Sequence, residues 1–515
     1  MFGKKNYKSL ILFTFLMGLF FCTQLKANAS DQYKLTVFIG NGGYLQYTDH
    51  SGGTFQITGT VNIPISYTNA QTINIYPTGS FHVADVKIDG QSQPRQTSIP
   101  FVYSFSQISN NHIVDVQFST VLVTHDSVDN WGTFTSSCYN NLQGAVNAVT
   151  DEDIIAVDPG IYGNVDFSAN NKRITIYSTQ GPEVTFIDGN KENNCLIFDA
   201  NSKTISVSGF TIQNGLSTNG GGIYIKNTSP QIYNCRIINN EATQYGGGIY
   251  ISYDTSPELG NLYIRGNTAG LYGGGVYCTS TVNVSSPILY QSYIRGNTAG
   301  ENGGGIYVNG YNIAAHAYIK MASCWIVENK SFSNGAGIYV NNAEANIFAS
   351  TISNNQMTDG FGGAVYVAGS AYTPQVTIKN SILWNNGREI DGNKDIIDVT
   401  YSNVEMDSGV YGEISNNNRN IDPLFANSLI GDYHLTQNSP CIDVGSPVFP
   451  TSDIYQKDID NQKRVLGLVV DLGGAEWNNS TFQVNFSANV TSGYSPLTVQ
   501  FTNLSTSQGN TPVCI

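Results

Sequence analysis

"YIRGNTAGLYGGGVY" (263–277) and "YIRGNTAGENGGGIY" (293–307) decide how this chain folds. Their first eight letters are identical, thirty residues apart, and each copy leads into a glycine triplet and an aliphatic–Tyr pair. A reactive site is normally one constellation, so verbatim repetition points first to architecture. Working outward, the same grammar recurs in degenerate form. The glycine element is GGGIY at 220–224 and 246–250, GGGVY at 273–277, GGGIY at 303–307, GAGIY at 335–339 and GGAVY at 362–366. An aliphatic-x-x-Asn element alternates with it: IINN 237–240, IRGN 264–267, IRGN 294–297, IVEN 326–329, ISNN 352–355 and LWNN 383–386, with TIQNG 211–215 as a looser first instance. Successive Asn positions are 26 to 32 residues apart.

A unit of that length holds short strands. In "GGIYIKN" and "GAGIYVNN" apolar residues alternate, a period of two that places Ile inward and Tyr outward. Strands of about 3–5 residues separated by Gly and Asn corners, about three per repeat, predict one coil of a right-handed parallel β-helix. Asn240, Asn267, Asn297, Asn329, Asn355 and Asn386 then fall at one corner, where an amide can bond to the Asn stacked above it. Gly222, Gly248, Gly275 and Gly305 fall where a Cβ would clash. No coil buries its apolar side alone, so the repeats must stack.

Composition agrees with an exported solenoid. Charged residues are 12% of the chain, against roughly 25% in an average domain, and 53 residues are Gly. The net charge of −14 and the lack of a Lys/Arg cluster beyond the first eight residues argue against nucleic acid. Those first residues read as a signal peptide: Lys4, Lys5 and Lys8, the apolar run Leu10–Phe21, then Ala27-Asn28-Ala29, with cleavage expected after Ala29. Lipidation at Cys22 is disfavoured because Leu19-Phe20-Phe21 lacks small residues. No later stretch is long enough to span a membrane as a helix. Cys138, Cys195, Cys235, Cys278, Cys324, Cys441 and Cys514 form neither a C-x-x-C pair nor a disulfide framework. Cys235 and Cys324 share an inward register three repeats apart, about 14 Å at ~4.8 Å per coil. That is too far to bridge, and both read as buried small hydrophobes.

Upstream, "NNLQGAVNAVTDEDIIAVDPGIYG" (140–163) begins with an amphipathic helix, Leu142, Val146 and Val149 on one face, expected to cover the open end of the solenoid. The paired I-x-x-N and G-G-A/G-I/V elements resemble the repeats of the polymorphic membrane proteins, outer-membrane-associated adhesins whose passengers are β-helices. "IDPLFANSLIGDYHLTQNSPCIDVGSP" (421–447) and "DIDNQKRVLGLVVDLGGAEW" (458–477) resemble the closing segment of secreted bacterial β-helix proteins, with Asn461 at a usual Gly. "FQVNFSANVTSGYSPLTVQFTNLSTSQGNTP" (482–512) resembles the first two strands of a PKD-type immunoglobulin-like domain. The expected organisation is a signal peptide (1–29), a small all-β module (30–125), the β-helix with its capping helix and closing segment (126–478), and an incomplete PKD-like module (479–515).

Catalysis on such a scaffold would call for a carboxylate cluster for Ca²⁺, or a Lys or Arg base, on one face. Within the regular coils the acids Asp254, Glu258, Glu301, Glu328, Glu344 and Asp359 are scattered and repeat in no register. Asp458, Asp460 and Asn461 offer Ca²⁺ ligands or a turn between strands, and the turn is the preferred reading. No cofactor is otherwise expected, and none of the six His has a visible nucleophile partner. The aromatic and cationic strip Tyr263, Tyr293, Trp325, Arg265 and Arg295 is more suggestive: these residues flank the inward aliphatic and should point outward, suited to stacking on sugars or meeting an acidic partner. A second column, Tyr224, Tyr250, Tyr277, Tyr307, Tyr339 and Tyr366, reads as stacked aromatics that stabilise strands. The function expected is adhesion or carbohydrate binding at the cell surface, with an extracellular glycan or a neighbouring cell as partner. A polysaccharide lyase or glycoside hydrolase is the alternative, and a structural stalk the third reading.

Overall fold

The period-two alternation is realised as parallel strands that return in register once per repeat. The computed structural model describes residues 33–478, apart from short internal stretches such as 124–137, 312–316, 370–375 and 407–416, together with the strand pair Phe486–Ala488 and Phe501–Asn503. The signal peptide lies outside the described residues, as do Cys22 and Cys514, and of the PKD-like module only that strand pair is described. The chain divides into two units, residues 1–118 and 119–515.

The first unit has two sheets sharing one core. One sheet pairs Tyr33–Ile39 with Gly59–Ile65 and His112–Ser119, and the other pairs Gly43–Thr48 with Thr54–Ile57 and Gln71–Pro77. Leu35, Val37, Leu45, Ile73, Ile75 and Val114 fill the space between them.

The second unit is a right-handed parallel β-helix. The coil of the opening repeat runs Glu258–Gly260 in sheet 1, Tyr263–Arg265 in sheet 2, Thr268–Ala269 in a short corner sheet and Val276–Ser280 in sheet 3. Among the described residues these sheets hold twelve, ten, six and nine strands. The corner sheet is a departure from the three strands per coil expected. It forms because the residues between Asn and the glycine triplet also run extended: Thr268 and Ala269 pair with Thr298 and Ala299. Ile264, Val276, Leu259 and their counterparts make one continuous core along the axis.

Each letter of the repeat has a place. Gly266 and Gly296 hold φ of +63° and +61°, a left-handed corner that Asn239, Asn354 and Asn385 occupy in other coils. The next residue is the ladder Asn. Asn267 Nδ2 donates to Asn297 Oδ1 at 2.9 Å and to Ile237 O at 2.8 Å, and the Asn267 backbone N–H donates to Asn297 Oδ1 at 3.0 Å. The same amide bonds link Asn240 to Asn267, Asn297 to Asn329, Asn329 to Asn355 and Asn355 to Asn386. The third glycine of the triplet is required by packing between coils. A Cβ on Gly222, Gly248, Gly275 or Gly305 would lie 2.6–2.7 Å from a carbonyl oxygen of the next coil. The outward Tyr column stacks from Tyr224 to Tyr366 with centroids 4.8–5.5 Å apart and interplanar angles of 1–16°.

The corner between sheets 1 and 2 carries a second ladder that the sequence reading missed. Cys235, Ser292, Cys324, Ser350, Ser381 and Ser402 occupy one inward position, and each donates to the carbonyl two residues before it. Cys235 and Cys324 are therefore hydroxyl substitutes in a hydrogen-bonded column as well as buried apolar groups, and burial pushes both thiols up to about 12. The helix Leu142–Ala148 is capped by Asn141 Oδ1, which accepts from the Gly144 N–H, and it packs Leu142, Ala145 and Val146 into the core. Val121–Val123 already pairs with Ile155–Val157 in sheet 1, so the solenoid begins before residue 126.

The segment 421–477 starts on the last described strand of sheet 2, where Ile421 bonds to Asn403, and from there lies against the outer face of that sheet. Gly474 N–H donates to Thr351 Oγ1, Gln291 Nε2 to Asp458 O, Ser323 Oγ to Lys457 O and Ser446 N–H to Asn380 Oδ1. Its own centre is a buried charge network. Arg464 is held by Glu476 at 3.3 Å and donates to the carbonyls of Gly473 and Gly474, while Asp458 accepts from the backbone N–H groups of Asp460, Gln462 and Glu476. Residues 458–461 form the turn preferred from sequence, and Asn461 at the usual Gly takes φ of +63°.

Candidate groove on the second sheet

The inward Ile of each sheet 2 strand turns its two neighbours outward, so side chains of successive coils form columns. One column is Arg236–Tyr263–Tyr293–Trp325–Thr351, and the other is Ile238–Arg265–Arg295–Val327–Ser353. The registers expected from the repeat are all present. Their exposure is not uniform, because segment 421–477 covers part of each column.

Trp325 is 2% exposed, which removes it from the solvent-facing strip. Its indole is enclosed edge-on by Tyr433 at 5.5 Å and His434 at 5.1 Å, and the Gly474 backbone packs so closely that a Cβ there would meet the indole at 2.5 Å. Arg295 is drawn away in the same manner. Its Nε donates to Glu328 Oε2 at 2.9 Å, and its guanidinium lies beneath Gly431. Glu328 also accepts from the Tyr433 hydroxyl at 3.4 Å, so this pair secures the segment.

Tyr263, Arg265 and Tyr293 remain together in an open groove of about 860 Å³, joined by Arg236, Asn234, Asn239, Asn261 and Pro182. Arg265 Nη1 donates to the Tyr263 hydroxyl at 3.3 Å, which holds the cation over the groove. Arg236 pairs with Glu183 at 2.5 Å, but both groups are largely exposed. The Tyr263 and Tyr293 rings are tilted by 55° at 6.0 Å, so they present successive faces instead of a closed stack. No carboxylate or imidazole lines this groove among the described residues.

Tyr293 stands at the boundary between groove and covering segment. It lines the groove and also packs against the cluster of Trp325, Tyr433, Ile459 and Ala475. Burial, then the carboxylates of Asp460, Asp458 and Asp432, push its hydroxyl pKa up. Beside it is a cluster that sequence reasoning missed. His434 Nδ1 meets Asp432 Oδ1 at 2.5 Å, and its Nε2 meets Asp460 Oδ2 at 2.7 Å. The hydrogen bond to Asp460 raises the imidazole to about 9 against the opposing effect of burial, with Asp432 adding to the rise. The D-Y-H-L and D-I-D motifs carried these residues, but nothing local brings positions 26 apart to one ring. Among the described residues no group of three or more His, Cys, Asp or Glu side chains is arranged to hold a metal ion.

Residues 159–383 match the family model of the right-handed β-helix region. Among solved structures, the pectate lyase Pel9A aligns at 14% identity with a TM-score of 0.36, covering 70% of this chain and 96% of its own. A pectin methylesterase variant in complex with a hexasaccharide aligns at 10% identity with a TM-score of 0.27, covering 62% and 98%. No curated protein shows a significant match to the sequence.

Proposed function

We propose that this β-helix protein is exported to the cell surface and binds an extracellular glycan in the sheet 2 groove without transforming it. The observation that carries this reading is that Tyr263, Tyr293, Arg265 and Arg236 line one groove, Arg265 exposed and the other three half-buried. Aromatic faces stack on the apolar faces of sugar rings, and guanidinium groups hold hydroxyl or carboxylate oxygens. A lining of Asn, Tyr and Arg offers hydrogen bonds but no acid–base pair of the kind hydrolysis uses. The repeat grammar shared with surface adhesins and the signal-like N-terminus support display outside the cell, as does the PKD-like tail. Among the described residues no helix is long and apolar enough to cross a membrane.

A glycan array probed with the full chain tests the reading. Tyr263→Ala is expected to weaken the strongest signal about tenfold, the equivalent of ~1.4 kcal/mol for a lost stacking contact, with an unchanged melting temperature. Trp325→Ala is expected to act differently, lowering stability by about 3–5 kcal/mol because it hollows a packed site. Equal binding by wild type and Tyr263→Ala would remove the groove from consideration. Release of shortened or unsaturated sugars from the bound glycan would replace binding with the lyase or hydrolase reading.

A further inference from the structure

The groove is short along the solenoid and open across it. Its lining belongs to three successive strands, Arg236–Ile238, Tyr263–Arg265 and the start of Tyr293–Arg295, with the corner residues that flank them. Along the axis the column Arg236–Tyr263–Tyr293 is covered at both ends. The position before Arg236 is Thr211, 2% exposed, whose hydroxyl donates to the Pro182 carbonyl at 2.6 Å, and Pro182 is itself a wall of the groove. The position after Tyr293 is Trp325, also 2% exposed, beneath Tyr433, His434 and Gly474. In the neighbouring column Arg295 lies under Gly431. A ligand following the axis would therefore meet a covered position two coils from Tyr263 in either direction.

Across the sheet the lining reaches solvent at both corners. Asn234 and Asn261, which precede the strands, are exposed, and so are Arg265 and Asn239 at the far side. From Asn261 to Arg265 the strand direction covers about 13 Å at ~3.3 Å per residue, whereas three strands at ~4.8 Å spacing cover about 10 Å. Both corners offer hydrogen bonds. Asn261 Nδ2 donates to Asn234 Oδ1 at 2.5 Å, which leaves the Asn261 oxygen to accept and the Asn234 amino group to donate. Arg265 uses Nη1 on the Tyr263 hydroxyl and keeps its other N–H groups for a ligand.

Resting on the reading that the groove holds a glycan, we propose that the glycan crosses the solenoid parallel to the strands and is bound in mid-chain. One ring sits on Tyr263, and the chain continues over Asn234 and Asn261 on one side and over Arg265 and Asn239 on the other. The ligand class that follows is an internal, unbranched stretch of polysaccharide. The covered positions along the axis leave no path for a branch in that direction, and the two open corners let the chain run on. The corners differ in kind, amides at one and a guanidinium at the other, so the bound chain has a fixed direction.

Calorimetric titration of the full chain tests this, using a polyuronate and a neutral β-glucan, each in a series of lengths from oligosaccharide to long polymer. For whichever probe binds, protein bound per glycan chain is expected to rise with chain length. Asn261→Gly and Asn239→Gly probe the two corners without strain, because both residues hold left-handed φ, +51° and +55°, and glycine already fills the Asn239 position one coil on, at Gly266. Each is expected to weaken polymer binding at least about threefold, the loss of one hydrogen bond, with an unchanged melt. One protein per chain whatever its length would overturn mid-chain binding. Binding that is sensitive to Tyr263→Ala but at full strength in either corner variant would overturn the crosswise course and leave the groove reading intact. Failure of both probes to bind at any length would overturn the groove reading and this inference together.

Discussion

Six asparagines carry the corner after sheet 2, and each interior one is bonded to the coil before it and the coil after it. Asn297 takes two bonds from Asn267 and gives two more, to Ile264 O and Asn329 Oδ1. Truncating it removes the acceptor of two buried Asn267 donors and the donor to Ile264 O and Asn329 Oδ1, so Asn297→Ala is expected to cost about 2–3 kcal/mol, read from urea unfolding. The ladder ends at a different residue. Asn386 has no asparagine above it, and Glu389 accepts from its backbone N–H at 2.8 Å and from Nδ2 at 2.6 Å. Burial raises the Glu389 carboxyl to about 8, opposed by the Asn386 bonds and reinforced by Glu405. Because the folded value exceeds the ordinary 4.5, the folded chain binds the proton more tightly than the unfolded one. Its contribution is full below about 4.5 and lost as pH rises through about 8. Glu476 is raised to about 8 and His434 to about 9, so they act in the same direction. Glu389→Gln is therefore expected to flatten, without abolishing, the fall in melting temperature between about pH 5 and pH 9.

At the scale of elements, the segment 421–477 decides which part of sheet 2 is surface. Its fit to the solenoid depends on glycine at two positions. Gly473 holds φ of +92°, and Gly474 touches the Trp325 indole. Gly474→Ala is expected to lift the segment locally, at a cost of about 1–3 kcal/mol for overpacking. Tryptophan emission should shift to longer wavelength as Trp325 meets water, and protease should cut within 421–477. An unchanged emission spectrum would show that the contact is not a tight one. The parallel strands were legible in the repeat because inward Ile and corner Asn recur with it. The corner sheet was not, because Thr-Ala and Lys-Ser are not strand-like in composition and extend only through pairing with the coil on either side. The hydroxyl ladder was hidden for another reason: Cys and Ser at one position share no class that a pattern search would group.

For the whole molecule, the second unit begins at residue 119 and enters sheet pairing at Val121, earlier than the residue 126 expected from the sequence. Val121–Val123 is the strand on which Ile155–Val157 forms its outer pairing. A fragment starting at residue 119 should retain the melting transition of the full solenoid, whereas one starting at 126 should melt several degrees lower because it exposes that edge. Equal transitions for the two fragments would argue that this first strand is dispensable. The sequence by itself determined the solenoid, its handedness class, its Asn and Tyr ladders and the outward registers of Tyr263, Arg265, Tyr293, Arg295 and Trp325. Each of these follows from contacts between adjacent coils, which a period of 26 to 32 residues writes directly into the chain. Only the tertiary structure decided that Trp325 is core, that Arg295 is bound to Glu328 and that Tyr263, Arg265 and Tyr293 line a groove. Those outcomes depend on contacts such as Gly474 to Thr351, 123 residues apart. They have no period to betray them and are selected by shape and burial once the solenoid exists.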